Sequence, residues 1–266
     1  MQSVLLAMTV RRAKIGSMKT YRDEAIVLRT HELGEADRII TVLTRHHGKV
    51  RSVAKGIRRS KSRFGARLEP SSLVDVQLYR GRTFDHVTEV ATLNPYARDL
   101  MRDYSTYSVA CAMLEVADRL TPIEKEPAEE QFLLLLGAVN ALVRHRHEPR
   151  LIFGSYVLRA LAAAGWALSL YECAKCGAEH PIAFDVSSGG MVCAEHATRS
   201  ATHPQGHTVT LMGALLSGDW ECAEASSEMA RHQAEGLINA YIQWQLERDI
   251  RSLRAASHAR TLVASA

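Results

Sequence analysis

The spacing of apolar and polar positions changes near residue 95. Before that point the chain carries short runs that alternate or are rich in β-branched residues: 25–29, 38–44 (RIITVLT), 49–55 (KVRSVAK), 73–79 (LVDVQLY) and 84–93. His46-His47-Gly48 and Arg80-Gly81-Arg82 supply turns between them. Five short strands bounded by turns predict a small β-barrel, and the OB-fold is the five-stranded barrel that fits.

Past residue 95 the period becomes helical. Asn94-Pro95 reads as an N-cap followed by a first-turn proline. Leu100, Tyr104, Tyr107, Cys111 and Leu114 recur at three and four, predicting one helix that starts at Tyr96 and stops at Thr121-Pro122. Pro127 opens a second, with Phe132, Leu135, Leu136, Val139, Leu142 and Val143 on its apolar face. Pro149 opens a third, to about residue 168, and 209–216 and 226–253 read as helical again. The expected fold class is α+β. A five-stranded OB-fold barrel (18–95) precedes a mostly α-helical domain (96–266) with an embedded zinc-finger-like lobe at 171–200. Residues 1–17 read as a leader or extra segment: their apolar stretch precedes Arg11, Arg12 and Lys14, the reverse of a secretory signal. Residues 151–171 are the longest membrane candidate, yet carry Arg159 and follow Pro149, so a buried helix is expected and not a membrane span.

Composition adds little at first. With 266 residues, 47% hydrophobic and a net charge of +4, the chain is ordinary globular protein. Five cysteines are too few for a disulfide scaffold and fit a reducing, cytoplasmic location.

The distribution of charge is more informative. No acidic residue lies between Asp37 and Glu69, a gap that holds Arg38, Arg45, Lys49, Arg51, Lys55, Arg58, Arg59, Lys61, Arg63 and Arg67. The rest of the chain has 23 basic and 29 acidic residues, a charge of −6. Like charges held together repel unless an anion is near, and a phosphate backbone is the commonest polyanion. All ten are therefore candidate nucleic-acid contacts, with Arg38, beside Asp37, the first to be assigned a structural role instead. Charges paired with acids elsewhere in the fold are the plain alternative. Phe64 is the single aromatic in the gap, so binding is expected to be electrostatic and indifferent to base sequence. A charge reversal at Lys55 and Arg58 is expected to slow strand annealing. Asp118, Glu124, Glu126, Glu129 and Glu130, around a helix–helix connection, read as a solvated acidic surface.

A second constellation is Cys173-x2-Cys176-Gly177, followed after 16 residues by Cys193-x2-His196. Two such pairs at this spacing are the pattern of a zinc knuckle or ribbon. Three thiolates and an imidazole fill a tetrahedron, so the zinc would be structural, with no open position for catalysis. His180, His203 and His207 are nearby competitors for the fourth place. Cys111 and Cys222 read as buried thiols. The sequence has no P-loop, no G-x-G-x-x-G, no G-x-S-x-G elbow and no deaminase H-x-E, so no enzyme is expected.

Residues 24–28 (EAIVL), 34–44 (GEADRIITVLT), Gly48-Lys49, 54–56 (AKG), 61–65 (KSRFG) and 68–70 (LEP) together resemble the RecO family of bacterial recombination mediators. So do 158–161 and Gly165 ahead of the cysteine pair, then Tyr241-Ile242 and 246–253 with Arg248, Arg251 and Ser252. The resemblance implies an OB domain, a helical domain and a zinc finger, usually of four cysteines, where this chain has His196 last. It implies recombinational DNA repair in the RecF pathway. The expected activities are binding of single- and double-stranded DNA, annealing of complementary strands, and, with RecR, loading of RecA onto strands coated by single-strand-binding protein. An RNA-binding accessory protein and a zinc-stabilised protein–protein adaptor are the competing expectations.

Overall fold

The computed structural model describes residues 19–246 except 61 and 63. The expected segment 1–17, Lys61, Arg63 and the matched tail with Arg248, Arg251 and Ser252 lie outside the described residues. Five strands form a closed barrel: β1 (Thr20–Leu33), β2 (Asp37–Thr44), β3 (Gly48–Ala54), β4 (Leu73–Tyr79) and β5 (Asp85–Asn94). Their order is β1-β2-β3-β5-β4, with β4 returning to β1. All pairings are antiparallel except β3 with β5. The strand count and closure are those of the expected OB-fold.

β1 is 14 residues long, against five expected. Its outer parts are polar, and it stays a strand because each half has a different partner. Thr20–Ile26 pairs with β4 and Ala25–Leu33 with β2, across a bulge at Val27/Arg29. Ala25 and Val27 point into the barrel, while Ile26 and Leu28 face the helical body. Burial on both faces is why this stretch reads as a continuous apolar run.

The helical part comprises α1 (Tyr96–Leu100), α2 (Tyr104–Leu120), α3 (Glu129–Val143), α4 (Pro149–Ala163), α5 (Gly206–Ser217), α6 (Trp220–Glu224) and α7 (Glu228–Leu246). The single helix expected from Tyr96 is two, because Asp103 caps α2 by accepting the Thr106 N–H at 2.7 Å. Its buried residues include Thr106, Val109, Ala110, Met113, Leu114, Ala117 and Leu120, whereas Tyr104 and Tyr107 of the expected apolar repeat are exposed. α2 packs against α4, α3 and β1. α4 stops at Ala163, with Gly165 at φ +86 and the Trp166 N–H on the Leu161 carbonyl. Cys111 and Cys222 are half-buried, not buried. No helix among the described residues is long and apolar enough to cross a membrane.

The connection between α2 and α3 closes one end of the barrel. Lys125 N donates to the Lys49 carbonyl at 2.8 Å, and Glu124 forms a parallel bridge with Lys49. The Lys125 ammonium reaches the buried Asp85 at 2.9 Å. Gly48 sits at φ +66, and a Cβ there would lie 1.7 Å from the Glu126 carbonyl oxygen. At the side of the barrel, Phe64 and a 3-10 turn at Gly65–Leu68 plug the interior.

Candidate nucleic-acid interface and metal centre

Among the described cations of the acid-free gap, Arg38, Arg45, Lys49, Arg51 and Arg58 are held by carboxylates of the fold. Lys49, with a side chain only 10% exposed, donates to Asp118 Oδ1 at 2.9 Å and to the Asp118 carbonyl at 2.8 Å. Arg45 reaches Glu129 at 2.9 Å and Glu24 at 3.2 Å. Arg51 pairs with Glu124 and leans over the Phe84 ring. Arg38 bonds Glu69 at 3.1 Å, and Arg58 bonds Glu32 at 3.0 Å. The acids expected to form a solvated surface are thus partly consumed: Asp118, Glu124 and Glu129 neutralise β2–β3 at the barrel's closed end. Sequence distance hid this, since the partners lie 69 to 84 residues away.

What remains cationic is the loop between β3 and β4. Lys55 and Arg59 are exposed and make no ion pair among the described residues. Arg67 is exposed on the 3-10 turn. Gly56, at φ +69, lets the loop leave β3 sharply, and its N–H donates to Asp37 Oδ1 at 2.7 Å. The Arg58 N–H donates to the Ala36 carbonyl and its guanidinium to Gly34, so the loop is braced on the β1–β2 hairpin. Phe64 is 1% exposed and unavailable for stacking. The loop therefore presents cations outward on an aromatic anchor turned inward.

The second site lies between α4 and α5. Cys173, Cys176, Cys193 and His196 bring three Sγ atoms and one ring nitrogen within 4.8 Å of one another. Cys176 Sγ to Cys193 Sγ is 3.9 Å, Cys173 Sγ to His196 Nδ1 is 3.8 Å, and Cys193 Sγ to His196 Nδ1 is 3.2 Å. A tetrahedral zinc with Zn–S near 2.3 Å needs edges of about 3.8 Å, so the donor set fits that ion. Two tight turns aim the ligands. The Gly177 N–H closes one on the Cys173 carbonyl, with Gly177 at φ +71, and the His196 N–H closes the other on Cys193. A hairpin of β6 (Ala183–Asp185) and β7 (Gly190–Val192) joins them through the Ser187–Gly190 bend. Burial raises the Cys173 thiol pKa, but backbone N–H groups of Cys193, Cys176 and Lys175 outweigh it and bring it down to about 6. His203 bonds the Ile182 carbonyl instead, and His180 and His207 are exposed outside the cluster.

Two family models match this chain: the N-terminal part of recombination protein O over residues 18–96 and its C-terminal part over 101–254. The chain belongs to the RecO family. A curated relative, the DNA repair protein RecO of Thermobifida fusca (strain YX), is 51% identical over 243 residues, covering 91% of this chain and all of the relative. The resemblance noted from the motifs is therefore shown, and with it a role in DNA repair and recombination. Within this RecO-family chain the barrel and its basic loop fall in the N-terminal match, and the four-ligand lobe falls in the C-terminal one.

Proposed function

We propose that this protein is a non-enzymatic recombination mediator of the cytoplasm and nucleoid. It binds single- and double-stranded DNA without sequence preference and anneals complementary strands. With RecR, it assists RecA loading on strands covered by single-strand-binding protein. Its working units are the barrel at 18–95 and the helical domain at 96–266, whose lobe at 171–200 holds a structural zinc through Cys173, Cys176, Cys193 and His196. The observation that carries the DNA-binding reading is the braced β3–β4 loop, whose Lys55 and Arg59 meet no acid among the described residues.

Phosphate contact is assigned to Lys55, Arg59, Lys61, Arg63 and Arg67. Arg58 joins them when it exchanges the exposed Glu32 for a phosphate. Arg38, Arg45, Lys49 and Arg51 shape the barrel and its closed end. Neutralising two phosphate backbones at once lowers the repulsion between strands, and annealing needs little more than that. Five phosphates on a single strand give a slope of log K against log salt near −3.5.

Lys55→Glu with Arg59→Glu is the better loop variant, because Arg58 also braces the loop. It is expected to reduce the magnitude of the single-strand slope by about 1.4 and to slow annealing while the fold is kept. Annealing at the wild-type rate, with an unchanged salt slope, would overturn the assignment.

A further inference from the structure

The exposed side of α2 carries rings where a surface helix usually carries charges. Tyr104 is 63% exposed and Tyr107 is 39% exposed, one helical turn apart on the same face. Met101, 60% exposed, and the exposed Arg98 and Arg102 extend this corner toward the end of β5. The corner adjoins the basic loop: Ser62, Phe64 and Arg67 of the loop line one groove with Thr92 and Pro95 at the β5–α1 junction. Glu69, just past the loop's 3-10 turn, lies close enough to Tyr107 to act on its phenol. Glu69 is itself paired with Arg38, which reduces its repulsion of phosphate.

An aromatic pair beside a cationic loop matches single-stranded DNA, whose unpaired bases offer ring faces and whose backbone offers charge. A duplex offers the charge with its base faces already stacked. We infer that Tyr104 and Tyr107 form a base-stacking platform for single-stranded DNA whose backbone lies on the β3–β4 loop. The platform rests on the DNA-binding reading and adds a preference for the single strand, which the buried Phe64 cannot supply.

The test compares the full chain with Tyr104→Ala/Tyr107→Ala, using oligo(dT) and a duplex of equal length as probes. The double variant is expected to bind oligo(dT) about tenfold more weakly, with the duplex affinity and the oligo(dT) salt slope unchanged. Tyr104→Phe/Tyr107→Phe restores binding, since a ring and not a hydroxyl is required. Strands carrying 5-iodouracil should crosslink to residue 104 or 107. Unchanged oligo(dT) affinity, or an equal loss on both probes, overturns the platform. So does altered sedimentation with unaltered oligo(dT) binding, which would mark a protein contact. These outcomes leave the loop assignment standing, because that assignment is read from the salt slope of the Lys55→Glu/Arg59→Glu variant.

Discussion

Lys49 shows how a residue type can be read correctly and its role incorrectly. In sequence it is one of ten cations in a gap without acids; in the fold its ammonium is nearly enclosed by Asp118. Lys49→Met keeps the length of the side chain and removes the charge. Breaking a buried pair by removing one partner costs about 3–5 kcal/mol. Arg29 still reaches Asp118 at 3.2 Å, so a loss of about 2 kcal/mol is expected, read as a lower urea midpoint. DNA binding and its salt slope should not change, whereas a phosphate-contacting Lys49 would lower the slope. Lys55 and Arg59, by contrast, stay exposed without an ion pair among the described residues, as the Gly/Ser-punctuated loop around them, with no neighbouring acid, suggests. Tyr104 and Tyr107 were legible only as an apolar repeat. Two stripes at helical spacing run along α2, and periodicity does not say which one the fold buries.

Among the elements, β4 coincides with its expected range, and β2, β3 and β5 differ by a residue or so, because each has one apolar face and a turn at both ends. The extension of β1 was hidden by cross-strand ion pairs such as Arg22–Asp75, where polar positions read as loop. α6 was missed because five residues are too few for a period. The metal lobe is the reverse case. Its ligand spacing was fully legible, while β6 and β7, three residues each, were seen only as a hairpin-like bend. The lobe's own core is Cys173, Ala183 and Val192 with a few alanines around it. So small a cluster contributes little on its own, and a metal on the four residues would add to it. Cys176→Ala is expected to lose bound zinc by elemental analysis and to open residues 171–200 to protease. Unchanged metal content and protection would show that the four residues do not form the site.

Across the whole molecule, two buried carboxylates tie the barrel end together. Burial raises the pKa of Asp23, but hydrogen bonds from the rings of His47 and His46 and the His46 N–H leave it below its ordinary 3.8. Asp85 is likewise raised by burial and then lowered, below 3.8, by Tyr21, Lys125 and the Gly81 N–H. Carboxylates depressed in the folded state contribute stability that is present above the unfolded pKa and lost as pH falls through the folded one. Stability should therefore be level down to about pH 5 and fall below about pH 4. Urea midpoints between pH 5 and 3 should fall less steeply for Asp85→Asn, which has no proton to take up. Equal slopes for wild type and variant would remove Asp85 from this account.

The contact of Gly48 with the Glu126 carbonyl also bears on synthesis. The five strands are complete by Asn94, yet the cover over β3 comes from residues 124–126, beyond all of α2. A nascent chain emerging at about 5–20 residues per second thus holds its barrel open at that end until α2 has left the ribosome. Only then do Asp118, Glu124 and Glu129 reach the cations of β2–β3.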